Sequence, residues 1–147
     1  MPEHYKRPGW FTRYIFNPAV AALTRLGVSV LGSRVLEVTG RKSGEPRRTP
    51  VNLLTLEGTE YLVAPRGVTE WVRNVRAGGG KLALLRGRHR DERVATELDD
   101  SEKVPVLRAY LKRWKAEVGV FFEGVGPDST DEQLAAIAPR HPVFRLN

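Results

Sequence analysis

The clearest indication of how this chain folds comes from the twelve residues Thr39-Gly-Arg-Lys-Ser-Gly-Glu-Pro-Arg-Arg-Thr-Pro50. It lies between two apolar runs that are typical of β-strands, residues 35–38 and residues 51–56, so the pattern predicts a loop that joins two strands. Gly44 and Pro46 favour a tight turn, because glycine adopts positive φ freely and proline presets its own φ.

The same loop is strongly cationic, with Arg41, Lys42, Arg47 and Arg48 within eight residues of one another. Arginine and lysine bind phosphates and carboxylates through charge-assisted hydrogen bonds, and exposed backbone N–H groups of a glycine turn add to such a cradle. The loop is neither a GxxxxGK[ST] nor a GxGxxG motif. Two interpretations remain open from composition alone: an anion-binding loop and a solvated surface turn.

Two later segments favour the anion-binding interpretation. Ala64-Pro-Arg-Gly67 breaks the chain directly after a predicted strand and supplies another cation. Trp71 follows, close to Arg73 and Asn74, and a flat aromatic side chain beside cations suits a phosphorylated cofactor with a planar ring. The alternative for Trp71 is ordinary core packing.

A second cationic cluster contains Arg86, Arg88, Arg90 and Arg93. The alternation of a strand predicts that Arg86, Arg88 and Arg90 lie on one strand face. Such a face could extend an anion-binding groove or contact nucleic acid, and its alternative is a solvated sheet surface.

The periodicity of the remaining chain predicts short, hairpin-linked strands with peripheral helices, which is an α+β, mainly β protein with an antiparallel sheet or a small barrel. Strands are predicted at residues 34–39, 47–56, 61–64, 81–86, 88–98 and 143–146. Helices are predicted at residues 69–77, at 131–137, and from a start at 99–101 along an apolar face of Val104, Leu107, Leu111, Trp114 and Val118.

The N-terminal part, at about residues 9–26, is predicted as a helix that Pro18 kinks or splits. It is interpreted as a core-packing helix, with a membrane-surface helix as the alternative. At 147 residues the chain is predicted to form one domain.

The net charge of +7 favours anionic ligands, and the absence of cysteine excludes disulfides and thiolate catalysis. The three histidines are far apart, so the sequence predicts no metal site. It shows no signal peptide and no membrane span, which predicts a cytoplasmic protein. No Ser/His/Asp or paired-carboxylate arrangement is evident, so any redox chemistry is expected to belong to a bound cofactor.

The segment from Val38 to Pro50 resembles the TGRK(S/T)GxPR…P signature of the deazaflavin-dependent nitroreductase family of actinobacteria, whose members use coenzyme F420. Tyr-Leu-Val-Ala-Pro-Arg-Gly at 61–67 continues the resemblance, and Glu-Trp-Val-Arg-Asn-Val-Arg-Ala at 70–77 is similar to the family's (M/E)WxxNLxA segment. The resemblance extends over about residues 34–114.

The resemblance implies a split β-barrel like those of FMN-binding, pyridoxamine-phosphate-oxidase-like proteins. It implies that Arg41, Lys42 and Arg47 bind the phosphate and glutamate tail of F420, with help from Ser43 and the backbone near Gly44. The remaining residues expected to bind the cofactor, at its deazaflavin end or beside it, are Thr49, Asn52, Ala64, Pro65, Arg66, Gly67, Trp71 and Asn74. FMN is the alternative cofactor.

The chain also departs from that family. The nitroreductase branch carries several tyrosines near its C-terminus, whereas residues 119–130 contain none, and Arg66 stands where that branch has lysine. Phe121 and Phe122 could form an apolar wall of the substrate site or pack in the core.

The predicted function is therefore F420-dependent hydride transfer to or from a small hydrophobic, quinone-type or nitro-type molecule. The alternatives are a non-catalytic binder of F420 or of a lipid-like ligand, and a basic nucleic-acid-binding barrel, which ranks last because no aromatic residue lies within residues 81–98. A monomer or homodimer without a nucleic-acid partner is expected, with peripheral membrane contact through the N-terminal helix as an option.

Overall fold

Among the described residues, the strands close into an antiparallel barrel. The computed structural model describes residues 33–122 and 124–147. The strands are β1 (Ser33–Thr39), β2 (Pro46–Leu56), β3 (Thr59–Val63), β4 (Lys81–Arg86), β5 (His89–Glu97) and β6 (Val143–Leu146). They are hydrogen-bonded in the order β1-β2-β3-β6-β5-β4, and β4 also pairs with β1. The predicted mainly β, antiparallel barrel is confirmed.

Three α-helices lie outside this barrel in the described part of the chain: α1 (Glu70–Ala77), α2 (Val104–Val118) and α3 (Asp131–Ile137). None of these helices is long and apolar enough to span a membrane. The helix predicted at about 9–26, and with it the membrane-surface alternative, lies outside the described residues.

The start of α2 differs from the prediction. A separate 3₁₀ turn (Asp100–Glu102) precedes the helix, and Asp99 caps that turn, with the Asp99 backbone N–H donating to Glu102 Oε1 at 3.1 Å. The helix itself begins at Val104, so that Pro105 falls in its first turn, where its missing N–H costs nothing.

Two strands belong to both halves of the barrel. β2 pairs with β1 as far as Asn52 and then with β3 from Leu53 onward. β5 changes partner in the same way, pairing with β4 up to Val94 and with β6 from Ala95. The hairpin between β2 and β3 turns through Glu57 and Gly58, whose positive φ angles of 51° and 81° suit a two-residue turn.

Two apolar cores result. The barrel interior is filled from the strands and from α1, by residues that include Leu36, Val38, Leu62, Val72, Val75, Leu84 and Phe144. A second core lies between the barrel and the C-terminal helices and includes Leu107, Tyr110, Leu111, Trp114, Phe121, Phe122 and Leu134. Phe121 and Phe122 thus pack in the core, and Phe122 stacks on His141 at 4.2 Å between ring centroids. Of the two alternatives left open for these residues, core packing is the one that the structure supports.

The prediction that Arg86, Arg88 and Arg90 share one strand face is wrong. Arg86 is the last residue of β4, Arg88 lies in the following turn, and Arg90 belongs to β5. A hairpin, rather than one continuous strand, separates them. Arg90 donates to Glu37 Oε1 at 2.6 Å, and Arg93 donates to Glu60 Oε1 at the same distance.

Glu37 is a buried carboxylate that links three strands. Arg48 of β2 donates to its Oε2 at 2.9 Å, while Arg90 of β5 binds its other oxygen. The hydrogen bond from Arg90, opposed by burial and supported by Arg48, holds the pKa of Glu37 below its ordinary value. The charged form of Glu37 therefore stabilises the folded barrel.

We expect Glu37→Gln to lower the free energy of unfolding at pH 7 by about 1 kcal/mol, because both arginine partners are half-exposed. A carboxyl whose pKa is depressed on folding contributes stability above its unfolded pKa of about 4.3 and loses it as the pH falls further. The difference between wild type and variant should therefore shrink from pH 7 to pH 3 in urea titrations. Glu92→Gln removes an exposed carboxylate from the same Arg90 and should have little effect. A Glu37→Gln difference that does not vary with pH would contradict the interpretation.

We expect Gly80→Ala to destabilise the barrel far more than Gly79→Ala. Both glycines have positive φ, 70° for Gly79 and 89° for Gly80. A Cβ on Gly80 would lie 2.2 Å from the carbonyl oxygen of Ala95, whereas a Cβ on Gly79 would contact nothing within 4 Å. Gly79→Ala should cost about 1–2 kcal/mol for its left-handed backbone alone. Equal losses of stability in the two variants, measured by thermal or urea unfolding, would show that β4 and β5 can separate freely at this point.

Candidate functional site

A cleft of about 720 Å³ opens beside β2, close to where that strand passes from one half of the barrel to the other. Its walls are the loop between β1 and β2, the first half of β2, the turn after β3 and the N-terminal turns of α1. Its volume lies in the range of small-molecule sites, about 300–1,000 Å³. Every residue predicted for the site lines this cleft, with the exception of Gly44.

The β1–β2 loop is closed by its own backbone. The Gly40 N–H donates to the Glu45 carbonyl oxygen at 2.8 Å, and the Gly44 N–H donates to the Gly40 carbonyl oxygen at the same distance. Gly44 has a φ of 73°, which a residue with a side chain adopts only at a cost. Gly44 therefore shapes the loop from outside the cleft.

Ser43 also serves this loop. Its hydroxyl oxygen accepts a hydrogen bond from the backbone N–H of Glu45 at 3.2 Å and another from Arg47 Nη2 at 3.3 Å. The serine thus orients one of the predicted tail-binding arginines.

A buried amide fixes the loop to α1. Asn74 is 5% exposed, and its Oδ1 accepts from the backbone N–H of Arg41 at 3.1 Å and from Arg41 Nη1 at 2.8 Å. Glu70 is a further partner of the Arg41 guanidinium, with Nη1 and Oε1 3.2 Å apart. Asn74, which we predicted as a cofactor ligand, therefore has its carbonyl oxygen committed to holding Arg41.

The cations at the open end of the cleft are Lys42, Arg47 and Arg48, which are exposed, together with Arg41 and Arg73. Arg41 and Arg73 both contact Glu70, and Arg48 contacts Glu37. Positive charge is thus concentrated on the loop and on the neighbouring surface of α1.

The inner end of the cleft, formed by Asn52, residues 64–68, Trp71 and Tyr110, has mostly apolar walls, with Arg66 as its cationic group. The turn after β3 is fixed by a hydrogen bond from the Gly67 N–H to the Ala64 carbonyl oxygen at 3.2 Å and by one from the Ala64 N–H to the Pro142 carbonyl oxygen at 2.9 Å. Trp71 packs against Phe144 of β6, with ring centroids 5.8 Å apart, and still lines the cleft. Trp71 therefore packs in the core and also lines the cleft, and its contact with the ring of a cofactor stays a prediction.

The sequence did not indicate Tyr110, which reaches the cleft from α2 and is 1% exposed. The side chain of Asn52 hydrogen-bonds its hydroxyl. Burial raises the pKa of Tyr110 far above its ordinary value, against a smaller opposing effect of the bond to Asn52, so the hydroxyl stays protonated. The signal available in the sequence was its position three residues after Leu107, on the apolar face of α2.

The chemistry of coenzyme F420, which the sequence resemblance implies, matches the residues that line this cleft. Its phosphate and glutamate tail is anionic and can therefore form charge-assisted hydrogen bonds with the guanidinium and ammonium groups at the open end. Its planar ring matches the inner end, where Trp71, Pro65 and Val68 present apolar surface. The protein would hold the tail with Lys42 and Arg47 and the ring beside Trp71.

Comparison with known proteins identifies a family that uses this cofactor. A family model described as F420H(2)-dependent quinone reductase matches residues 15–125, which is well over half of the chain. No curated protein matches the chain at a significant level.

Solved structures show the same fold at low identity. A protein described as F420-H2 dependent reductase (FDR-A) is 20% identical with a TM-score of 0.53, and the match covers 79% of this chain and 94% of that one. A structure described as a domain-swapped dimer is 22% identical with a TM-score of 0.54, covering 88% and 91% of the two chains. A candidate pyridoxamine 5'-phosphate oxidase from Listeria innocua is 16% identical with a TM-score of 0.50, covering 79% and 82%.

The predicted split barrel of the FMN-binding, pyridoxamine-phosphate-oxidase-like type is therefore confirmed, and so is the prediction of an F420-dependent enzyme. The family description names quinones, which are one of the acceptor types predicted from the sequence, beside nitro compounds. The chain belongs to the F420H2-dependent quinone reductase family: it is an oxidoreductase, and coenzyme F420 is its cofactor.

Proposed function

We propose that this protein reduces a small quinone-type molecule at the expense of F420H2, within the cleft beside β2. The observation that carries the proposal is the division of one cleft into a cationic open end and an apolar inner end. The chemistry supplied by the bound cofactor is hydride donation from its reduced deazaflavin ring. The protein itself supplies binding, orientation and a dry environment.

At the open end, Lys42 and Arg47 bind the anionic tail. Both side chains are exposed, and Ser43 holds the guanidinium of Arg47 toward the loop. Arg41 contributes its charge from a fixed position, because Asn74 holds both its backbone N–H and its guanidinium. A binding surface that is ordered in advance loses less entropy when the ligand arrives.

At the inner end, the turn of residues 64–67 and Trp71 flank the ring. Tyr110, kept neutral by burial, offers a hydroxyl hydrogen there, and Asn52 fixes the position of that hydroxyl. Arg66 of the same turn also lines the cleft, but apolar atoms make up most of the lining surface. A quinone is a flat, uncharged acceptor of limited polarity, and it suits such walls better than a charged molecule does.

A specific observation disfavours the nucleic-acid alternative. Arg90 and Arg93 are paired with Glu37 and Glu60, which removes much of the positive strand that favoured nucleic acid. A nitro compound or a lipid-like ligand would use the same apolar walls, so acceptor specificity has to be measured. A cytoplasmic location, a monomeric or homodimeric state and N-terminal membrane contact remain predictions.

We expect the purified protein to bind F420 in preference to FMN and FAD, because the cationic loop matches a tail that carries several negative charges. Lys42→Ala and Arg47→Ala should each weaken F420 binding by about 1–2 kcal/mol, since each removes one charge-assisted contact on an exposed loop. Fluorescence titration of the deazaflavin measures this directly.

Arg88→Ala is the matched control for these variants. It removes one exposed arginine in the β4–β5 turn, away from the cleft, and should leave the dissociation constant unchanged. A preference for FMN, or an equal loss of affinity in Arg88→Ala, would contradict the assigned tail site.

We expect F420H2 oxidation to be faster with a lipophilic quinone than with a nitroimidazole of similar size. The reason is that most of the lining surface is apolar and favours the less polar of the two acceptors. Stopped-flow absorbance of F420H2 with each acceptor gives the two rates. Tight F420 binding without turnover of any acceptor would favour the non-catalytic binder instead.

A further inference from the structure

Glu70 places a negative charge among the cations of the proposed tail site. It is the first residue of α1 and lines the cleft, and its side chain is 69% exposed. Its carboxylate contacts Arg41 Nη1 at 3.2 Å and Arg41 Nη2 at 3.4 Å. The same carboxylate accepts from Arg73 Nη1 at 3.0 Å.

The contact geometry of this carboxylate is that of an anionic ligand. It spans two guanidinium groups that line the same cleft, and the two oxygens bind them through three charge-assisted bonds. The hydrogen bond from Arg41, followed in size by that from Arg73, holds the pKa of Glu70 below its ordinary value. The charged form of Glu70 is therefore favoured beside these two arginines.

The position of Arg41 does not depend on Glu70. Asn74 already accepts from both the backbone N–H and the guanidinium of Arg41, at 3.1 Å and 2.8 Å, from a buried site. Exposed ion pairs such as the one with Glu70 contribute little to structural order. Removing the Glu70 charge should therefore change the electrostatic potential of the cleft and leave the loop in place.

We propose that Glu70 acts as a built-in competitor for the anionic tail of the ligand, occupying Arg41 and Arg73 until a more strongly charged group displaces it. This inference rests on the proposed function, because it assumes that the tail of F420 enters the cationic end. The consequence is selectivity by charge. A phosphate- and carboxylate-bearing tail gains enough from the whole cationic end to displace the carboxylate, whereas a singly charged metabolite does not.

The test uses the full chain and two ligands that share a ring but differ in charge: F420 and the tail-less deazaflavin riboside. Dissociation constants are measured by fluorescence titration for the wild type, Glu70→Gln and Asp131→Asn, at low salt and at high salt. Asp131→Asn is the matched control. Like Glu70→Gln, it removes one exposed carboxylate. The Asp131 carboxylate contacts Arg108, with Oδ1 and Nη2 2.7 Å apart, and neither Asp131 nor Arg108 lines the cleft.

We expect Glu70→Gln to tighten F420 binding about two- to fivefold at low salt, which is the range of one exposed ion pair. The gain should shrink at high salt, because counter-ions screen exposed charges. Binding of the riboside should not change, and Asp131→Asn should bind both ligands as the wild type does.

Weaker F420 binding by Glu70→Gln would overturn the inference and identify Glu70 as a positioning residue for the loop. An equal gain for the riboside, or an equal gain in Asp131→Asn, would also overturn it, because the effect would then not involve the tail at Arg41 and Arg73. If neither the wild type nor Glu70→Gln binds F420, the proposed function itself fails. If both bind F420 with equal affinity, only the inference about Glu70 fails.

Discussion

The barrel closes only because two of its strands change partners midway, and the position of the site depends on this constraint. β2 is bonded to β1 up to Asn52 and to β3 beyond it, so the strand has to bend between two sheets. Side chains on either side of such a bend cannot all be covered by the neighbouring strands. The cleft lies beside this part of β2, and Thr49 and Asn52 are supplied to it by one strand.

A second constraint is the concentration of positive charge on one loop. Arginines that lie close together repel each other, so they need either counter-charges or a rigid support. Asn74 supplies the support through two hydrogen bonds to Arg41, while Glu70 and Glu37 supply counter-charges at either side. The loop is thus ordered without neutralising Lys42 and Arg47, and their charges remain available to a ligand.

Local patterns in the sequence predicted the local structure well. Alternation and turn residues identified the six strands within one or two residues, and spacing of three and four residues identified the apolar face of α2. The loop of residues 39–50 could be predicted as the centre of the candidate site for the same reason, since its glycines and cations are adjacent in sequence. Family membership then named the cofactor.

What the sequence could not show are the contacts between distant segments. Asn74 and Arg41 are 33 residues apart, and nothing in either neighbourhood indicates that one amide will hold the other residue's backbone. Tyr110 reads as one more apolar residue of α2, because periodicity reports that a face is buried and not what it faces. The error over Arg86, Arg88 and Arg90 has the same origin: alternation was continued through a turn that reverses the chain.

The two ends of the cleft differ in the kind of selectivity that they can provide. Charged groups at fixed positions reject ligands that leave them unpaired, so the loop can discriminate strongly between cofactors. Apolar walls discriminate weakly, because one methylene group changes binding by only about 1–3 kcal/mol. Most of the lining surface of the cleft is apolar, and the polar groups of its inner end include Asn52, Arg66 and Tyr110. We therefore expect the cleft to discriminate more strongly by the charge of the cofactor than by the shape of a flat, apolar acceptor.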